Sequence, residues 1–249
     1  MPRSPAVPYG DGIYRRRIRL VARGDTVRAD LEDDFHRFGV ALRHDGERVV
    51  GARGESFRFP WATCPGASAR IEELAGLPLL ARAADLAAHT DVRLHCTHLY
   101  DLLALALAHA AAGRVRRQYD VAVPDRVERR TAPTLHRDGE LLLAWRVEGH
   151  RVADPPPFSG LVLRGRSFLE WIYASLDADM AEAALVLRRA CYIALGRGTD
   201  LDAVPSADRI TPIAGASCHS MQPGIAEHAH RIRNATRDFT ARPEALLRE

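Results

Sequence analysis

The chain has 249 residues, 47% of them apolar and 27% charged, which is enough apolar material for a substantial core and excludes disorder over most of its length. Its formal charge is only +3, and all 35 basic residues are arginine, so a pI near 8.8 is weak ground for a nucleic-acid partner and none is expected. No apolar run reaches the ~18–20 residues that span a bilayer, and four cysteines are too few for a disulfide framework. A cytoplasmic protein with no membrane partner is predicted.

Residues 1–12, rich in Pro and Gly, read as a loose arm. Ile13, Ile18 and Leu20, then Val27, Ala29 and Leu31, predict two strands joined around Gly24-Asp25. The alternation of arginines with Ile18 and Leu20 in the first reads as a half-exposed strand. Phe38, Val40 and Leu42 predict a third strand, Asp45-Gly46 a tight turn, and Val50, Ala52, Phe57 and Phe59 a fourth strand. A helix over 64–74 follows, with Pro65 at its first position, Gly76 as its cap and Pro78 beyond it. A second helix is predicted over 78–88. The stretch 97–112 is apolar on nearly every face, as expected of a central buried helix.

Strands are predicted again around Val121 and Val123, Leu135, and Leu141 to Trp145, with Asp138-Gly139 as a hairpin turn. A Pro-rich connector at 154–157 leads to a long helix over 167–195 and a more polar helical stretch over 225–247. The tripeptide Asp-Gly-Glu occurs at 45–47 and 138–140 without further similarity, so no internal repeat is assigned.

Cys64 and Cys96 each directly precede a predicted helix. Backbone N–H groups and the dipole at a helix start stabilise thiolate, the form that binds metal or attacks an electrophile. Buried free cysteine is the competing reading. The acidic run Glu32-Asp33-Asp34, followed by His36, offers ligands, a general base, or a solvated turn; in an extended chain Asp34 and His36 face one way and Asp33 the other. His98 lies three residues after His95 and can be a ligand, a proton carrier or a surface imidazole. His109, in the apolar part of the same helix, reads as a hydrogen-bonded core histidine, and Cys191 as a core filler. Cys218 sits in the small-residue loop Gly215-Ala216-Ser217-Cys218-His219, where it can be a ligand or a nucleophile. No Gly-rich phosphate loop, Cys-x-x-Cys pair, His-Glu-x-x-His or Gly-x-Ser-x-Gly elbow occurs in the sequence.

The segment DGERVVGARGESFRFPWATCPGASARIEELAG, followed by VRLHCTHLYDLLALALAHA, resembles the iron–sulfur cluster scaffold proteins of the IscU/NifU type over about residues 31–113. Cys64 matches the cysteine of that family's first helix start, and Leu94-His95-Cys96-Thr97 its second, down to Asp101. Asp34 falls on the family's acidic ligand, while Glu32 stands where the scaffolds carry another cysteine. The whole chain is also similar to a group of bacterial proteins of comparable length, which implies no activity.

The resemblance implies an α+β fold, an antiparallel sheet backed by helices. Residues 1–115 would form a scaffold-like metal-site core, and 116–249 a C-terminal α/β extension of strands and helices covering the site. It also implies Asp34, Cys64, His95 and Cys96 as metal ligands, with Cys218 able to supply the thiolate that Glu32 cannot. Two thiolates with an imidazole or carboxylate suit Zn²⁺, while iron or an iron–sulfur cluster is the alternative. The leading expectation is a metal-dependent enzyme that acts on a small-molecule substrate by hydrolysis or lyase chemistry, with Asp33, His36 and His98 moving protons. A metal or iron–sulfur carrier is the second reading, and a metal-free Cys/His enzyme using Cys96 or Cys218 the third.

Overall fold

The computed structural model describes residues 9–211 and 218–248. Gly215, Ala216 and Ser217, and most of the expected N-terminal arm, lie outside them. The fold is mixed α+β, with antiparallel strand pairing and several helices. Two compact units emerge, each assembled from separate stretches of chain. One comprises Ile18–Arg117 and Asp200–Arg237; the other comprises the chain up to Arg17, Gln118–Thr199 and the end from Asp238. A single cut near residue 115 therefore does not describe the organisation. Residues 200–237 return to the first stretch through backbone bonds: Ala62 N–H donates to His230 O at 2.9 Å, and Ile232 N–H to Pro60 O at 2.9 Å.

In the unit containing Ile18–Arg117 the strands are β1 (Ile13–Arg23), β2 (Thr26–Asp33), β3 (Arg37–His44) and β4 (Val49–Arg58), ordered β4-β3-β2-β1. Cross-strand pairs Val27–Leu42, Ala29–Val40 and Leu31–Phe38 put six buried apolar side chains on one face, each pair contributing about 0.2–1 kcal/mol. The Asp45-Gly46 turn forms as its residues dictate. Asp45 Oδ1 accepts from the N–H groups of Glu47 and Arg48 at 2.9 and 2.8 Å, and Gly46 has φ +101°. Pairing of β3 with β4 jumps from Arg37–Arg58 to Phe38–Ser56, a bulge at Phe57 that bends β4 where it ends.

The helix expected over 64–74 is shorter and broken: a 3-10 turn Cys64–Ala67, then the single turn α1 (Ala69–Glu72). Of the helix expected over 78–88 only a 3-10 stretch, Ala83–Ala88, forms. The central helix α2 (Thr97–Ala111) is buried from Thr97 to His109 except at Asp101, and it packs across β2 and β3. Its all-round apolar sequence requires that position, since each fully buried Leu contributes roughly 1.5–3 kcal/mol.

In the other unit β5 (Arg116–Pro124), β6 (Arg130–Thr131), β7 (Thr134–Arg137), β8 (Glu140–Ala144), β9 (Arg146–Glu148) and β10 (Arg151–Asp154) form two sets. The first residues of β1 run beside β5 in the order β1-β5-β7-β8, and β10-β9-β6 make a small sheet. Asp138 and Gly139 both have positive φ, 55° and 96°, the type I′ geometry that suits the twist of a hairpin. The expected helix over 167–195 is two helices, α3 (Ser167–Ser175) and α4 (Ala178–Ile193). Leu176 is extended between them and Asp177 caps α4 by accepting from Met180 N–H at 2.8 Å. Trp145 anchors the core, with Phe158 and Phe168 rings at 5.3 and 6.0 Å.

The polar stretch 225–247 is not a helix; it runs as turns and extended chain, with Asn234 at φ 63°. Among the described residues no helix is long and apolar enough to cross a membrane.

Candidate metal centre

β2 ends at Asp33 and β3 starts at Arg37, so the chain must reverse within Asp34, Phe35 and His36. Asp33 makes the reversal. Its N–H donates to His36 O at 2.9 Å, and its Oδ1 accepts from the N–H groups of Phe35 and His36, both at 2.8 Å. The same oxygen lies 3.0 Å from His36 Nδ1. Extended-chain parity separates Asp33 from His36, but the turn brings them together.

His98, the second residue of α2, reaches the same place because α2 lies across β2 and β3. Its Nε2 is 4.0 Å from Asp33 Oδ2, and its ring lies 3.8 Å from that of His36, centroid to centroid. Phe38 stacks against both imidazoles at 5.8 and 5.6 Å. Asp33 is fully buried, His98 is 4% exposed and His36 9%. Each of the three offers a ligand atom within 4.8 Å of the other two. Zinc bonds of about 2.0–2.1 Å in a tetrahedral site set ligand atoms roughly 3.4 Å apart. The 4.0 Å between Asp33 Oδ2 and His98 Nε2 is near that spacing, while the 3.0 Å contact of His36 Nδ1 is a hydrogen bond to the other carboxylate oxygen, Oδ1. One carboxylate and two imidazoles also suit non-haem iron. The donor set fits a divalent metal.

The acidic run is not a solvated turn: Glu32, Asp33 and Asp34 are all buried. Arg58, just beyond the bulge in β4, holds it from beneath. Its guanidinium donates to the carbonyls of Asp33, of Asp34 at 2.9 Å, of His36 at 3.1 Å and of Ala235 at 2.8 Å, and it pairs with Glu32 at 3.2 Å. Burial lowers the Arg58 pKa, and the charges of Asp33 and Glu32 oppose that shift. Glu32 is thus the counter-charge of an arginine, at the position where the scaffold proteins have a cysteine. Asp34 is buried on the same turn, where its carbonyl also accepts from Arg237 N–H at 2.7 Å.

The cysteines form a second locality in this unit. Ser220 Oγ donates to Cys64 Sγ at 3.4 Å and receives a bond from Thr63 Oγ1 at 2.9 Å, while His219 N–H donates to His95 O at 3.1 Å. The segment from Cys218 to Ser220 is therefore fastened both to the Cys64 turn and to the entry of α2. Burial pushes the Cys64 thiol up to about 12, with Cys218 adding to the shift. Cys96 is raised well above its ordinary value by burial, then by Cys218 and Cys64. It is the N-cap of α2, as expected, but burial outweighs the backbone N–H groups of His98 and Leu99, so the helix start does not lower its pKa as the sequence suggested. At Cys64 the 3-10 turn is too short to supply much dipole.

His95 is 2% exposed; its Nε2 meets Thr90 Oγ1 at 2.8 Å, and its buried Nδ1 has no hydrogen-bond partner. Burial, then Arg70, lowers its pKa. His109 is buried, as expected; neither ring nitrogen meets strict hydrogen-bond geometry, yet the backbone of Val115 and Arg114 is near enough to oppose the lowering of its pKa by burial. Cys191 is buried in α4, with its thiol pushed up to about 12 by burial.

The structure thus brings together Asp33, His36 and His98. It places Asp34 on their turn and Cys64, Cys96 and Cys218 in one neighbourhood, with His95 at its edge. Among the described residues, however, the expected ligands Asp34, Cys64, His95, Cys96 and Cys218 bring no three ligand atoms within 4.8 Å of one another. Arg58 and His219 had no signal in the sequence reading. A lone arginine at a strand end looks like any other, and the bulge that aims Arg58 leaves no mark in the residue pattern. Comparison of the chain with protein-family models and with curated proteins found no match.

Proposed function

We propose that the protein is a metal-dependent enzyme acting on a small molecule by metal-assisted hydrolysis or lyase chemistry, with Asp33, His36 and His98 as its ligands and zinc as the foremost metal. The observation that carries this reading is that Asp33 and His36, on a turn fixed by a five-acceptor arginine, meet His98 of α2, with all three side chains nearly buried. Three protein ligands leave a position for water or substrate, and a metal there would polarise a carbonyl or activate that water. Asp33 serves as anchor as well as ligand: Oδ1 holds the backbone of the turn and Oδ2 faces His98. Phe38 walls both imidazoles and limits their rotation. Arg58 fixes three carbonyls of the turn, which keeps ligand positions set before any ion arrives.

A metal or iron–sulfur carrier is the second reading, favoured by the shared neighbourhood of Cys64, Cys96 and Cys218, whose charges act on one another, and by the scaffold resemblance. The raised thiol pKa values of Cys64 and Cys96 speak against a metal-free enzyme with Cys96 as nucleophile.

The test is elemental analysis of protein purified without oxygen, wild type beside His98→Gln. The zinc-enzyme reading expects colourless protein with one zinc per chain, lost in the variant together with zinc-dependent turnover of ester, amide or dehydration substrates. Iron alone on the same residues keeps the enzyme class and changes the metal. Brown protein with iron and sulfide, unchanged in His98→Gln, overturns the proposal in favour of the carrier.

A further inference from the structure

In the unit that carries β5 to α4, we infer that a groove rich in arginine binds a small molecule through a multiply charged oxyanion, a phosphate above all. Arg129, Glu148, Gly149, His150, Arg151 and Val162 line an open groove of about 420 Å³ beside the β9–β10 turn, a size suited to a small molecule. Arg126 and Arg164 add to the positive field. Burial lowers the pKa of His150, and Arg164, Arg126 and Arg129 lower it further. The one lining carboxylate, Glu148, pairs with Arg130 at 3.4 Å. Among the described residues Arg129 and Arg164 form no ion pair. Guanidinium groups present planar forks that match phosphate and carboxylate oxygens, and like charges gathered without counter-charge repel until an anion arrives.

The backbone supplies an independent observation. Val127 and Arg130 exchange backbone hydrogen bonds at 3.1 and 2.8 Å around a two-residue turn whose central residues, Glu128 and Arg129, both have positive φ, 49° and 66°. Asn and Gly occupy such positions with less strain than Glu and Arg. Strain of this kind persists where the surroundings hold it, and here they do. Gly149 N–H donates to Arg129 O at 2.9 Å, and Gly149 O accepts from the Arg126 guanidinium. Gly149 has φ +57°, and a Cβ there would come within 3.1 Å of Arg129 Nη2. A strained turn, a glycine and Arg126 thus fix the backbone of Arg129, whose side chain lines the groove. Val162 and the His150 ring, stacked on Tyr192 with centroids 6.5 Å apart, add an apolar, flat wall. That wall favours an organic ligand over a bare ion.

The groove shares no residue with the candidate metal centre, so a result at either leaves the other standing. The full chain is titrated calorimetrically with inorganic pyrophosphate and with citrate, against sodium chloride at matched ionic strength. The expected result is one saturable site per chain, with the preferred anion distinguishing a phosphate from a carboxylate source. Arg164→Gln weakens binding at least tenfold, and Arg53→Gln, an exposed change in the other unit, does not. Arg129→Gly is the decisive variant, because glycine relieves the positive φ: it folds at least as well as wild type and still loses at least tenfold in affinity. Binding that vanishes at matched ionic strength, or that survives Arg129→Gly unchanged, overturns the inference. So does a single-stranded oligonucleotide that binds where pyrophosphate does not, since that result assigns the patch to nucleic acid.

Discussion

Two substitutions at Asp33 separate its structural work from its proposed role as a ligand. In Asp33→Ala the N–H groups of Phe35 and His36, and His36 Nδ1, lose the oxygen they share. A buried donor left without an acceptor costs about 1–3 kcal/mol, so the backbone pair alone implies roughly 2–6 kcal/mol, against a total stability of about 5–15 kcal/mol for a typical domain. Asp33→Asn keeps an acceptor oxygen on the same frame but removes the charge. Hydrogen bonds to charged groups exceed neutral ones by about 1 kcal/mol each, which puts this variant at roughly 1–3 kcal/mol. Urea unfolding of chelator-treated protein, followed by far-UV circular dichroism, measures both, and metal analysis of untreated protein runs alongside. Asp33→Ala should be strongly destabilised, Asp33→Asn mildly, and both should lose zinc. An Asp33→Ala protein as stable as wild type would refute the turn argument. Zinc retained at full affinity in Asp33→Asn would refute the ligand assignment.

Further outcomes follow from the same contacts. Arg58→Met removes the guanidinium from four carbonyls and from Glu32, and should cost about 3–5 kcal/mol in urea unfolding, with Arg58→Lys giving little rescue because an ammonium cannot fork to five acceptors. Burial, then Arg114, lowers the pKa of His109, so the unfolded chain takes up its proton first as pH falls below about 6.5. Stability from this residue is complete above that pH and declines below it, by at most about 1.4 kcal/mol per pH unit; His109→Leu should flatten the slope, and an unchanged slope would count against it. Cys96→Ser should fold, because Ser is a good N-cap for α2, and should keep its zinc if the metal is held by Asp33, His36 and His98; lost zinc would move the site to the thiols.

Where local chemistry decides structure, the sequence was readable. Asp45-Gly46 and Asp138-Gly139 announce their hairpins through the backbone conformations they tolerate, and α2 announces its burial by being apolar all round. Residues 225–247 show the opposite. Their polar, helix-compatible composition is overridden by tertiary bonds, since the backbone around His230 and Ile232 pairs with residues 60–62 instead of with itself. One acidic residue, Asp177, stops α3 from running into α4 by capping the second helix. Alternation in β1 was visible, but its consequence was not. Arg16 shares the inward face with Tyr14, Ile18 and Leu20 and is 1% exposed, so an arginine belongs to the buried side of a strand that reads as half-exposed.

The candidate site was legible as residue types and not as a constellation. Asp33, His36 and His98 stand out as ionisable groups beside predicted elements, yet 62 positions separate His36 from His98. Only the crossing of α2 over β2 and β3 joins them. Parity fails for Asp33 because the chain turns there, and the carboxylate that drives the turn is the one that ends up beside both imidazoles. Helix-start arguments for Cys64 and Cys96 fail for a different reason: desolvation depends on depth, which spacing does not reveal.

X-ray absorption at the zinc edge of zinc-loaded protein tests the central claim most directly, because the two candidate localities differ in ligand atom. Coordination by Asp33, His36 and His98 predicts a shell of nitrogen and oxygen alone at about 2.0–2.1 Å, with the outer-shell signature of imidazole. Sulfur at about 2.3 Å would place the metal on Cys64, Cys96 and Cys218 and contradict the account.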